Sequence, residues 1–222
     1  MKALKLLLLS KDAAFSDLQK AMNAESDSAN FHIKQLISAG YITKLATGRY
    51  TLTRAGKEYA NRMDTDEHVI EKQPKVAVCL IINDGHGKQL VQKRLKQPFY
   101  GYWGRPTGKI RWGETILETA ARELMEETGL TADISFDSVL HKIDYNKASG
   151  ELLEAKIFFM MRCDNPRGEL IERFEGGQNA WMTPDEYAAQ PLTFAPTKAS
   201  YDAEPHMIRI IEDHYEYDPE NY

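Results

Sequence analysis

The sequence predicts an α+β fold in two domains, a small helical domain carrying one hairpin and a larger domain built on strands. Three observations carry this expectation. The first third of the 222 residues is patterned in short helices and a hairpin, whereas β-branched apolar runs dominate from Lys75 onward. Between them lies a polar, acidic stretch ending in proline, MDTDEHVIEKQP, which reads as a linker. Net charge also changes sign. Residues 1–65 hold ten Lys and Arg against six Asp and Glu, a net of +4, while the remainder holds 18 against 27, a net of −9. The expected boundaries are 1–66 for the small domain, 67–74 for the linker and 75–222 for the large domain.

In the small domain, Leu4–Leu9 is an apolar helix, and Phe15-Ser16-Asp17 opens a second that runs through Leu18 and Met22. Ser26–Ala39 is a third, its apolar side supplied by Phe31, Ile33, Leu36 and Ile37, and Gly40 ends it. Tyr41–Leu45, a turn at Ala46-Thr47-Gly48 and Arg49–Thr53 form a hairpin, and Arg54–Met63 a last helix.

In the large domain, Lys75–Ile82 is a buried strand, Asn83–Gly87 a turn, and Gln89–Leu95 the returning strand. Asp133–Asp144 and Leu152–Arg162 are further strands joined by a polar turn, and Ala180–Met182 is a short one. Pro184–Ala189 opens a helix, and Glu204–Tyr215 is read as a terminal helix. His68, in the linker, is read as a surface residue.

Composition excludes several classes. Hydrophobic residues make up 42% and charged residues 27%, ordinary for a globular protein. Cys79 and Cys163 both lie in apolar strand-like runs and read as buried free thiols of a reducing, cytoplasmic compartment. The N-terminal MKALKLLLLS is too short an apolar run for a signal peptide and is followed at once by Lys11-Asp12. No run approaches the length that spans a membrane, so no membrane partner is expected.

The chemistry is concentrated in Gly108–Leu130, GKIRWGETILETAARELMEETGL. Thr115 with Glu118 makes a capping box, and Gly129 supplies a left-handed cap, so the stretch between is a helix. Leu117, Ala120, Ala121 and Leu124 recur at helical spacing and are expected to be its buried stripe, with Glu123, Glu126 and Glu127 off it. Glu123 and Glu127 lie one turn apart, and like charges so placed destabilise a helix by roughly 0.2–0.5 kcal/mol. A hard divalent cation bound by carboxylate oxygen would offset that repulsion.

Gly108, Glu114, Arg122-Glu123, Glu126-Glu127 and Gly129, with apolar Leu124 and Leu130, match the box of the Nudix hydrolases, and the chain resembles that family over about residues 75–190. The resemblance implies an α/β/α sandwich with a mixed sheet, and Mg²⁺- or Mn²⁺-dependent hydrolysis of a diphosphate linkage in a nucleoside diphosphate derivative: ADP-ribose, a nucleotide sugar, a dinucleoside polyphosphate or a nucleoside triphosphate. It makes Glu123 and Glu127 metal ligands with Glu126 beside them, Arg122 the residue that holds Glu123, and Glu114 either a ligand of metal-bound water or the anchor of Arg122. Gly108 lets the backbone approach the metal. Thr107 stands where many members have a glycine whose carbonyl is a ligand, and it keeps that carbonyl. The general base is Glu123 or a glutamate of a later loop, where Glu169, Glu172 and Glu175 are the candidates. The family is often dimeric, which makes a homodimer the expectation.

Substrate choice lies outside the box. Phe99, Tyr100, Tyr102 and Trp103 precede it, placed either to stack on a nucleobase or to pack in the core. Arg105 could reach a phosphate, and Tyr145 lies where some members carry a substrate-specific residue.

The order helix, helix, helix, hairpin, helix in residues 1–66, with FHIKQLISAGYITKLATGRYTLTRAG, resembles the winged helix-turn-helix family. Carried onto this chain, that implies double-stranded DNA contacts by Ser28, Asn30, His32, Lys34 and Gln35 on the third helix and by Lys44, Thr47 and Arg49 on the wing. The alternatives are an assembly module, or a transcription regulator whose Nudix domain senses a nucleotide.

Overall fold

A computed structural model describes residues 1–62, 70–194 and 210–217. The chain divides into two compact units, Met1–Lys72 and Gln73–Tyr222, and His68 lies outside the described residues.

The first unit contains helices α1 (Lys2–Leu8), α2 (Phe15–Met22) and α3 (Ser26–Ser38), strands β1 (Ile42–Lys44) and β2 (Tyr50–Leu52), and helix α4 (Arg54–Ala60). Its core is Leu4, Leu7, Leu18, Ile33, Ile42 and Leu52. The expected order of elements is therefore present. Thr53 caps α4 by accepting from the Gly56 backbone N–H, and its hydroxyl donates to the Gly40 carbonyl at 2.6 Å. Gly56 has no alternative: a Cβ there would lie 1.8 Å from the Tyr41 carbonyl oxygen.

The second unit holds β3 (Lys75–Ile82), β4 (Gln89–Arg94), β5 (Trp103–Gly104), β6 (Thr107–Lys109), α5 (Ile116–Thr128), β7 (Leu130–Asn146), β8 (Leu152–Gly168), β9 (Arg173–Phe174), β10 (Gly177–Met182), α6 (Pro184–Ala188) and β11 (Ile210–Tyr217). The strands form two sheets, a four-stranded one in the order β5-β4-β10-β9 and a mixed five-stranded one in the order β11-β7-β8-β3-β6. Residues 77–82 of β3 are buried without interruption. This is the pattern of a strand covered on both faces. Val78, Leu80 and Ile82 join a core with Ala120 and Leu124 of α5, and Ala77, Cys79 and Ile81 join another with Leu140, Phe158 and Met160. Both cysteines are buried free thiols, and burial pushes Cys79 up to about 11 and Cys163 up to about 12.

Two expectations are corrected. The terminal helix over Glu204–Tyr215 is not found. Residues 210–217 are β11, which runs parallel to β7 from Ile210↔Val139 to Tyr217↔Asn146, while 204–209 lie outside the described residues. A long-range pairing with a strand edge has overridden local helical pattern. On α5, Leu117 is 56% exposed and Ala121 is exposed as well. The buried positions are Thr119, Ala120, Leu124 and Thr128, with Ile116 packed alongside. Polar Thr119 and Thr128 can be buried because their hydroxyls donate to the Thr115 and Leu124 carbonyls one turn back.

The helix that carries the glutamates starts at a full capping box. Thr115 accepts from the Glu118 N–H, and the Glu118 carboxylate accepts from the Thr115 N–H at 2.8 Å. Replacing Thr115 by alanine removes that reciprocity. The expected cost is about 1 kcal/mol, read as a shifted urea midpoint at unchanged slope. An unshifted midpoint would mean that packing alone holds the start of α5.

Candidate metal and diphosphate site

β6 and α5 meet at one point. Gly108 pairs with Val78 on the α5 side of the five-stranded sheet, and the Glu123 side chain lies directly against it. A Cβ on residue 108 would sit 2.0 Å from both Cγ and Cδ of Glu123, so only glycine leaves the carboxylate its place. Thr107, one residue earlier, pairs with Cys79 in the regular ladder. Threonine in place of a second glycine therefore does not disturb the strand.

Arg122 organises the carboxylates. Its Nε and Nη2 donate to the two oxygens of Glu114 at 2.7 and 2.8 Å, and its Nη1 donates to Glu123 at 2.7 Å and to Glu126 at 3.1 Å. Nη2 also donates to the Lys109 carbonyl at 3.2 Å, which ties the helix to β6. Glu114 accepts in addition from the Thr119 hydroxyl at 2.9 Å and from the Arg111 backbone N–H at 3.2 Å. The Arg122 hydrogen bond, above all, holds the Glu114 carboxyl down to about 2. In turn, hydrogen bonds to Glu114, then those to Glu123 and Glu126, raise the Arg122 guanidinium above its usual range. Glu126 is the most exposed of the set and is shared with Arg111 at 3.2 Å.

Glu127 behaves differently. It makes no ion pair among the described residues, and its side chain takes one hydrogen bond, from Gln92 Nε2 at 3.1 Å. Burial raises its carboxyl and the charge of Glu123 adds to the rise, against the Gln92 hydrogen bond. Two buried residues that sequence reasoning missed fix this end of α5. Asn179 Nδ2 donates to the carbonyls of Glu127 and Ile171, both at 2.7 Å, and Gln92 donates to Asn179 at 3.3 Å. No local pattern marks them, because the Gln92–Asn179 contact joins positions 87 residues apart. The loop with Glu169, Glu172 and Glu175 docks here too, through the Ile171 N–H on the Thr128 carbonyl, but all three glutamates are exposed.

The donor set suits a hard divalent cation: adjacent carboxylates on one helix, one of them half-buried and without an ion pair among the described residues, beside a strand with no side chain at residue 108. Among the described residues no three His, Cys, Asp or Glu side chains already converge on one point. Glu123 and Glu126 are instead drawn onto Arg122, so water and substrate oxygen would have to complete any coordination shell.

A cavity of about 560 Å³ opens beside this cluster on the other face of the sheet. Gln92, which holds Glu127, and Thr107, which precedes Gly108, both line it. Arg105 lies on its wall, as do Lys142, Lys156 and Phe158. Of the other expected substrate residues, Tyr102 and Trp103 are buried. The Tyr102 ring packs with Phe99 and Phe194, so these aromatics fill core in place of offering an open stacking face. Tyr145 is half-buried on β7 and does not line the cavity.

In the first unit, Ser28, Asn30, His32, Lys34, Gln35, Lys44 and Thr47 are exposed. Arg49 is not presented with them. It is half-buried, its Nε ion-paired with the Asp12 carboxylate and its Nη2 donating to the Asp12 carbonyl at 3.3 Å. It fastens the hairpin to the segment before α2.

The fold and the box helix together define a class. A NUDIX domain model matches residues 73–204, and the chain belongs to that family. It is similar to the oxidized purine nucleoside triphosphate hydrolase of Danio rerio, 43% identical over 34% of this chain and 46% of that protein. It is also similar to the ADP-ribose pyrophosphatase of Methanocaldococcus jannaschii, 36% identical over 36% of this chain and 50% of that protein. The chain thus spans about half the length of these curated relatives. Among solved structures it resembles a MutT protein of Bacillus halodurans, with a TM-score of 0.49 at 24% identity over 67% of this chain and 93% of that one. It also resembles the NUDIX domain of Shewanella oneidensis NrtR crystallised with ADP ribose, with a TM-score of 0.46 at 20% identity over 64% of this chain and 91% of that one. No helix among the described residues is long and apolar enough to cross a membrane.

The Gly108–Glu123 contact gives a direct test. Gly108→Ala must displace Glu123 from Arg122, and overpacking of this kind costs about 1–3 kcal/mol. Chemical denaturation should show the loss, and a crystal structure of the variant should show Glu123 turned away. A variant of wild-type stability with Glu123 in place would disprove the close approach.

Proposed function

We propose that the second unit hydrolyses a diphosphate linkage in a nucleoside diphosphate derivative with Mg²⁺ or Mn²⁺. The substrate would be ADP-ribose, a nucleotide sugar, a dinucleoside polyphosphate or a nucleoside triphosphate. The observation that carries this is the position of Gln92, which lines the cavity and donates to Glu127 in the same geometry. A bound diphosphate would therefore lie within reach of the carboxylate cluster. Glu123 and Glu127 would hold the metal, with Glu126 and the Thr107 carbonyl beside them. When bound, the metal supplies charge neutralisation at the phosphates and a more acidic water. Arg122 keeps Glu123 oriented, Glu114 keeps Arg122 oriented, and Gly108 leaves the space. Arg105, which lines the cavity, would donate to a phosphate oxygen. The names of the two relatives, one for a nucleoside triphosphate and one for ADP-ribose, support the same substrate range.

A second activity is favoured by the exposed polar face of α3. We infer that the first unit is a winged helix that binds double-stranded DNA through Ser28, Asn30, Lys34, Gln35 and Lys44, with Arg49 holding the wing in place. A regulator in which the NUDIX domain senses a nucleotide is the form this takes if hydrolysis is absent.

The metal-hydrolase reading is tested by a screen of those four substrate classes with Mg²⁺ and with chelator. Glu127→Gln should lower kcat by roughly 10²–10³-fold, the scale of losing one charge-stabilising group, in a protein that still unfolds cooperatively. Gln92→Ala should weaken metal affinity by about 10–100-fold, as expected for a group that only orients a ligand. Full activity in Glu127→Gln would remove Glu127 from the site. For the first unit, Lys34→Ala with Lys44→Ala should weaken DNA binding and flatten its dependence on salt. An unchanged salt slope would place the contact elsewhere.

A further inference from the structure

The cavity has a second charged region that the diphosphate chemistry does not use. On the cavity face of the five-stranded sheet, Lys142 of β7 pairs in register with Lys156 of β8, and Asp144 pairs with Glu154 two residues further along. Lys142 is ion-paired with Asp144, and Lys156 with Glu154, which also accepts from Lys75 at 2.5 Å. Asp144 is fully buried and Glu154 is 6% exposed. The arrangement is layered. The two lysines line the cavity and the two carboxylates behind them do not. Among the described residues the lining holds Arg94, Arg105, Lys142 and Lys156 against one carboxylate, Asp185, and the Lys142 and Lys156 ammonium groups sit between their carboxylates and the Phe99 ring.

Taking charges out of water costs several kcal/mol per ion even after relaxation. Burial lowers the Lys142 ammonium below its usual range, against the pull of Asp144. Burial likewise works to raise the Glu154 carboxyl, and hydrogen bonds from Lys156 and Lys75 outweigh it. An apolar pair at these positions would fill the wall without that cost. An anion that contacts the two lysines would offset part of that cost.

That ligand group is not the scissile diphosphate. Thr107 and Met160 both pair with Cys79, and Lys156 lies four residues further along β8. At about 3.3 Å per residue this is roughly 13 Å along the strand, with two strand spacings of about 4.8 Å across. The ammonium groups also lean away from Thr107, toward Asp144 and Glu154. One diphosphate group cannot span both regions.

We propose, resting on the diphosphate-hydrolase reading above, that Lys142 and Lys156 select substrates with a second anionic group at the end remote from the scissile linkage. The shared chemistry is a compact oxyanion, and its two sources are a phosphate monoester and a carboxylate.

The test compares substrates that differ only in that group. ADP-ribose 2′-phosphate against ADP-ribose reads the phosphate source, and UDP-glucuronate against UDP-glucose reads the carboxylate source. The wild type should favour the charged member of at least one pair in kcat/KM by about tenfold or more, the scale of one charge-assisted contact. Lys156→Met should collapse that ratio, and Lys156→Arg should largely restore it. Because Lys142→Met alone would strand the Asp144 carboxylate, Lys142→Met is made together with Asp144→Asn, and the ratio should collapse there too. Metal-free titration calorimetry of the same four compounds separates this proposal from the hydrolase reading. If nothing is hydrolysed yet the charged member binds more tightly and loses that advantage in Lys156→Met, the hydrolase reading fails and the anion site stands. Equal affinity within both pairs, or a preference untouched by the lysine variants, overturns the proposal.

Discussion

The candidate site depends on the fork of Arg122. A single guanidinium makes five hydrogen bonds, to Glu114, Glu123, Glu126 and the Lys109 carbonyl. It joins the loop before α5, two turns of the helix and strand β6. The bidentate grip on Glu114 needs a planar group with donors in fixed directions, and a lysine could supply charge but not that geometry. Remove it, and three neighbouring carboxylates lose their common counter-charge while β6 loses its tie to the helix. Gly108 acts on the same point from the other side, because the carboxylate that Arg122 orients fills the volume a side chain would take.

Much of this was readable in the residues because it is local. Thr115, Glu118 and Gly129 state where the helix begins and ends by hydrogen-bonding rules that operate within a few positions. The helix face was not readable in the same way. Leu117 and Ile116 offer two stripes of equal apolar quality, and only the sheet beneath decides between them. Thr119 and Thr128 then hide their hydroxyls on carbonyls of their own helix, so their polarity did not bar them from the core.

Contacts distant in the chain left no mark. Gln92 and Asn179 meet across β4 and β10, and each in isolation is an unremarked polar residue in a strand. Lys142 and Asp144 alternate as any solvated strand face might, and their burial follows from Phe99 and Phe194 closing over that face, with the Lys142 ammonium 5.9 and 5.4 Å from the two ring centres. Tyr102 and Trp103 were ambiguous between stacking and packing for the same reason, and the Phe194 partner that decides Tyr102 lies more than 90 residues away.

β11 has a consequence for the behaviour of the whole chain. Its pairing covers residues 139–146 of β7, a row of backbone N–H and C=O groups that would otherwise end the sheet. Uncovered strand edges are templates for pairing between molecules. A chain made without β11 would carry an adhesive margin along a long hairpin, and its first failing would be self-association in solution, ahead of any change in chemistry.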